Sequence, residues 1–154
     1  VILERSRTVT KRTLNALEQS IKKTAALPGR KTVMFLSDGF LIDENSDTSY
    51  RLQRITDASS RSNAVVYSFD VKGLDFEMPK AHSASPGGMA MLATRYSTHA
   101  GERVELQNPL NLLAENTGGR FTRNTNDIAA EVGKSIVEAS SYYLLAWQPE
   151  MVND

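Results

Sequence analysis

Two stretches decide the fold. TVMFL at 32–36 runs into Ser37-Asp38-Gly39, and AVVYSF at 64–69 runs into Asp70. Each is a short run that is apolar on both faces and rich in β-branched or aromatic residues. That pattern belongs to a strand of a parallel sheet with helices over both faces. Each run also ends in an aspartate at the point where the chain must turn.

Helical patterns lie around these strands. In 10–27, Leu14, Leu17, Ile21, Thr24 and Ala25 keep helical spacing, while Lys11, Arg12, Glu18, Lys22 and Lys23 fall off the stripe, and Pro28-Gly29 ends it. Residues 1–9 extend or precede this helix. Between the strands, 47–62 carries a weaker apolar face of Tyr50, Leu52, Ile55 and Ala58. Residues 71–101 hold Gly73, Pro79, Ser83, Ser85, Pro86, Gly87, Gly88 and Gly101, which predicts a long loop with one helical turn around 89–96.

A short helix is predicted over 109–116, with Asn108 as N-cap, Pro109 as first helical residue and Leu110, Leu113 and Ala114 facing inward. Gly118-Gly119 stops it, one of the two left-handed. A short strand is expected at 120–123. Asn126 or Asp127 then caps a helix over 128–139 with Ile128, Val132, Ile136 and Val137 inward. YYLLAW at 142–147 reads as a last strand, apolar on both faces and stopped by Pro149. The alternation predicts a three-layer, Rossmann-like α/β fold with a mainly parallel sheet flanked by helices.

Composition narrows the function. The 154 residues carry 18 Lys+Arg against 18 Asp+Glu, a formal net charge of zero, which argues against a charge-driven nucleic-acid binder. No apolar run approaches the roughly 20 residues that span a bilayer, so no membrane insertion is expected. Cysteine is absent, which removes disulfides, thiolate metal sites and Cys nucleophiles. The two histidines, His82 and His99, fall in the predicted loop and read as solvated.

Ligands of open α/β sheets bind beyond the carboxyl ends of the strands. Asp38 and Asp70 stand there, with Ser37 and Gly39 beside the first. Carboxylate and hydroxyl oxygens suit Mg²⁺, whereas aspartates at such positions also cap the turns that follow. Ser37 lies in no Gly-x-Ser-x-Gly elbow, and Ser85-Pro86-Gly87-Gly88 lacks the Lys-Ser/Thr of a phosphate loop.

The ordered set of segments resembles the von Willebrand factor type A domain, in the VWFA-related form common in Acidobacteria. GRKTVMFLSDGF (29–40) is similar to the strand and loop that carry the third part of that family's metal-ion-dependent adhesion site. NAVVYSFDVKGL (63–74) is similar to its next strand. LLAENTGGRFTRNTNDIAAEV (112–132) is similar to its helix, Gly-Gly turn, short strand and last helix. SSYYLLAWQP (140–149) is similar to the subgroup's extension. The resemblance implies a domain over 1–149, with 150–154 opening a linker or next segment, and it implies an extracytoplasmic protein. It also implies that the first strand and its Asp-x-Ser-x-Ser motif lie upstream of Val1. The Asp57–Ser62 stretch does not replace that motif, because Arg61 takes the fifth place and the stretch lies on a helix before a strand. Neither does Thr8, Thr10 or Thr13 stand out as the family's threonine ligand.

The leading expectation is therefore a non-enzymatic, adhesion-type module that binds a protein partner at the rim near Asp38, with Mg²⁺ implied for the full-length parent protein. Two alternatives stand beside it. One is a Mg²⁺-dependent Rossmann-like hydrolase or phosphoryl-transfer enzyme using Asp38 and Asp70. The other is a structural domain with a degenerate metal site.

Overall fold

The computed structural model describes residues 2–42, 47–73 and 86–141, with the side chains of residues 2, 3, 86–97 and 100 left aside. Helix α1 (Ile2–Lys23) ends in a 3-10 turn (Thr24–Ala26). Strand β1 (Lys31–Ser37), helix α2 (Thr48–Ser62), strand β2 (Ala64–Asp70), helix α3 (Pro86–Thr117), strand β3 (Phe121–Thr122) and helix α4 (Ile128–Ser140) follow. The three strands form one parallel sheet in the order β1-β2-β3. The chain is thus α/β with a small parallel sheet between helices, an arrangement consistent with a Rossmann-like layer.

The pleat sorts the side chains. Ala64 and Val66 of β2 and Phe35 of β1 face one way, into a core with Leu14, Leu17 and Ile21 of α1, Leu52, Ile55 and Ala58 of α2, and Leu110 and Leu113 of α3. Val65, Tyr67 and Phe69 face the other way, against Met34 of β1 and Val132 and Ala139 of α4. Strand β2 is buried over all seven residues. The double-sided apolar reading therefore holds for β2. It fails in part for β1, where Thr32 is exposed and Leu36 is 49 % exposed. The reason is position: among the described residues β1 is an edge, paired with β2 alone.

Several expectations need correction. Of the predicted loop over 71–101, residues 86–101 are helical: α3 runs continuously from Pro86 to Thr117, and the predicted short helix over 109–116 is about its last quarter. Pro86 occupies the first helical turn, where a missing N–H costs nothing, and the Ala, Met, Leu and Glu residues that follow favour helix. Asn108 is no cap, and Pro109 lies inside the helix. Pro109 is fully buried beside Leu110 and Leu113, so core packing offsets the backbone bond that proline cannot donate. Strand β3 covers only Phe121 and Thr122 rather than 120–123. Tyr50, Ile136 and Val137 are exposed rather than inward. His99 sits exposed on α3, 3.6 Å from Glu102. The predicted strand over 142–147, His82 and most of the remaining loop lie outside the described residues.

The Gly118-Gly119 stop is present, with Gly118 at φ +78°. Gly119 serves a different end, since a Cβ there would collide with the Val66 carbonyl. Thr117 completes this junction, because its Oγ1 accepts the Val66 N–H at 3.0 Å.

Glu18 departs most from its sequence reading. It is buried, with only 3 % of its side chain exposed. Its Oε1 accepts from Lys22 Nζ at 2.6 Å and from Arg54 Nη2 at 2.8 Å, tying α1 to α2. The bond from Lys22 lowers the Glu18 pKa below its ordinary value of 4.5; burial opposes this and Arg54 reinforces it. A carboxylate whose pKa is lowered by folding stabilises the fold above its unfolded value, and that contribution fades as pH falls through the lower folded value. Chemical denaturation at pH 7 and below pH 4 is expected to show Glu18→Gln as destabilising at the higher pH. The wild type's loss on acidification should be smaller in the variant.

Candidate functional site

The carboxyl ends of β1 and β2 are level. Ser37 lies in register with Asp70, and the Val71 N–H donates to the Ser37 carbonyl at 3.0 Å. Asp38 follows β1 and is exposed. Ser37 Oγ accepts the Gly39 N–H at 3.1 Å, which turns the chain. Gly39 has φ +93°, and a Cβ there would strike the backbone of Leu106. The next residue, Phe40, is buried and donates its N–H to the Leu106 carbonyl at 3.2 Å. The loop after Asp38 is thereby fastened to α3, and glycine is the residue that permits the close approach.

Asp70 is engaged on both carboxylate oxygens. Oδ1 accepts the Lys72 N–H at 3.0 Å, the turn-capping bond expected of an aspartate. Oδ2 accepts from Gln107 Nε2 at 2.5 Å and lies 3.6 Å from Arg103 Nη2. Arg103 also donates to the Gly73 carbonyl, and Arg123 donates to Gln107 Oε1 at 3.4 Å. The network joins the end of β2, the turn after it, α3 and the segment after β3. Asp38 and Asp70 thus share a rim but differ in state: Asp38 is exposed, whereas Asp70 is committed to internal partners.

A cleft of about 480 Å³ opens between α1, the segment after β1, α2 and α3. Its walls are Arg7, Thr10 and Lys11 of α1, Leu41 and Ile42 after β1, Arg51 of α2 and Glu105 of α3. Two of the helices that wall it are much longer than the strands. Seven-residue strands span roughly 23 Å, whereas α1 and α3, with 22 and 32 residues, rise roughly 33 and 48 Å. Arg51 is held between Asn15 and Asp47, its side chain 12 % exposed and its Nε buried without an acceptor. Leu41 is half exposed, so the lining mixes apolar surface with charge.

The residues described do not by themselves suit Mg²⁺. Among them, no group of three or more His, Asp or Glu side chains could hold a metal ion, and the Asp70 carboxylate already has its donors. Among the described residues, no helix is long and apolar enough to cross a membrane.

Sequence reading named Ser37, Asp38, Gly39 and Asp70 but missed Arg103, Gln107 and the cleft residues. Arg103 and Gln107 stand four apart on α3, a helical pairing that becomes visible once 86–117 is read as one helix. Thr10, Arg51 and Glu105 come together only through packing. No family model, curated protein or solved structure matches this chain.

Proposed function

We propose that this chain is a protein-binding module of the von Willebrand factor type A kind, which engages its partner at the carboxyl rim of the sheet beside Asp38. The cleft lined by Leu41 and Ile42, in the segment that follows Asp38, carries the reading. It combines half-exposed Leu41, the cations Lys11 and Arg51 and the carboxylate Glu105 on rigid helices. Mixed apolar and charged surface of this kind suits a polypeptide partner, whose side chains supply both. The fastened Gly39-Phe40 turn favours it further, because it holds the site in shape before binding and lowers the ordering cost.

Peptide-display selection against the folded chain tests this. Binders are expected whose affinity falls by about tenfold or more, near 1.4 kcal/mol, in Leu41→Asp or Asp38→Ala. Glu115→Gln, an exposed change away from the cleft, should leave binding intact. Thermal unfolding of each variant separates lost binding from lost fold. Failure to select any binder, or binders indifferent to both rim changes, would overturn the proposal in favour of a structural domain.

A further inference from the structure

We propose that the layer formed by α1 and α2 is a docking face for an acidic polypeptide segment, anchored in the groove between the two helices. The chain is neutral overall, with 18 basic and 18 acidic residues, but its charge is sorted in space. Six Lys and Arg residues stand against two acids on α1, and three against one on α2. On α3 and α4 the balance is reversed, two against three and one against two. Half of the chain's cations therefore lie on two helices that pack over one face of the sheet. Charge sorted in this way belongs to a surface that meets the opposite sign.

The groove has a volume of about 370 Å³ and lies by the last turns of both helices. Buried Glu18 is committed internally: it draws Lys22 and Arg54 to the groove wall while presenting almost no charge to solvent. Both cations stay roughly half exposed, with N–H groups left over for a ligand. Arg61 lines the same groove, is exposed, and makes no ion pair among the described residues. Both walls are described helices tied by Glu18 and Arg54, so the groove comes from their packing and not from a strand edge.

The occupant follows from chemistry. Exposed acids remain among the cations, Asp57 at the groove and Glu4 on α1. A nucleic-acid backbone carries its charge without interruption and would meet them, whereas a polypeptide spaces its carboxylates between neutral residues. No aromatic side chain lines the groove, so a base would find no ring to stack on. A neutral chain also lacks the long-range field that draws a polyanion or an anionic bilayer. Lys22, Lys23 and Arg61 stand in last turns, where a cation also steadies the helix end. Arg12 is exposed in the middle of α1, beyond the reach of that effect.

Fluorescence anisotropy of the whole chain with a labelled peptide of alternating Glu and Ser tests the proposal. Saturable binding is expected at low salt, weakening as salt is raised. Arg61→Glu and Arg12→Glu should each weaken it by about tenfold, with thermal unfolding confirming that both variants are folded. Lys134→Glu, on α4, changes the net charge by the same amount and should leave binding unchanged. So should Leu41→Asp, which tests the rim reading. Absence of binding at low salt would overturn the proposal. Equal losses in the Arg61, Arg12 and Lys134 variants would overturn it as well, because they would reflect net charge rather than this face. So would tighter binding of a single-stranded oligonucleotide, or of vesicles of phosphatidylserine and phosphatidylcholine, since the face would then serve phosphate groups.

Discussion

Phe69→Ala is expected to destabilise the chain by about 3–5 kcal/mol in urea unfolding. Phe69 is fully buried near the carboxyl end of β2, packed with Val65, Tyr67 and Met34 under α4. Its removal forfeits the transfer energy of the ring and leaves a cavity that a buried strand cannot collapse to fill. Leu36→Ala is the matched control. Leu36 is in register with Phe69 and on the same face, yet half exposed at the sheet edge. It should shift stability by no more than roughly 0.5 kcal/mol. A cost at Leu36 equal to that at Phe69 would mean that β1 is covered on that face.

Asp70→Ala is the second change with a large expected effect, about 3–5 kcal/mol. The loss comes from the partners left behind rather than from the missing carboxylate. Buried Gln107 loses its acceptor, the Lys72 N–H loses its cap, and Arg103 loses the carboxylate it faces while its Nε already lacks an acceptor. Asp70→Asn keeps an oxygen for the Lys72 N–H but offers an amide to Gln107 and Arg103, so it should fall between the alanine variant and the wild type. Equilibrium unfolding with all three proteins checks the order. An alanine variant as stable as the wild type would show that the network does not hold α3 to the end of β2.

The contrast between the two aspartates bears on function. By sequence they are alike, each at the end of an apolar strand. By structure Asp70 is a tie between elements and Asp38 is an exposed surface group, the state that the proposed rim-binding reading requires of it.

The amino-acid sequence by itself determined β1, β2, α1, α2 and α4, because apolar period and turn residues are local properties. TVMFL and AVVYSF marked β1 and β2, Leu14, Leu17 and Ile21 marked the buried side of α1, and Gly118-Gly119 marked the end of α3. It misled where composition and context disagreed. The Gly, Pro and Ser residues before 102 read as loop, yet Pro86 starts a helix and Pro109 is carried inside it by buried neighbours.

Tertiary structure alone decided the rest. Glu18 reads as a solvated residue until α2 brings Arg54 over it. Asp70 reads as a ligand or a turn cap until α3 supplies Gln107 and Arg103. The cleft exists because residues of α1, the segment after β1, α2 and α3 pack around it. Each depends on residues far apart in the chain meeting at hydrogen-bonding distance, and no local period encodes which helix packs over which strand end.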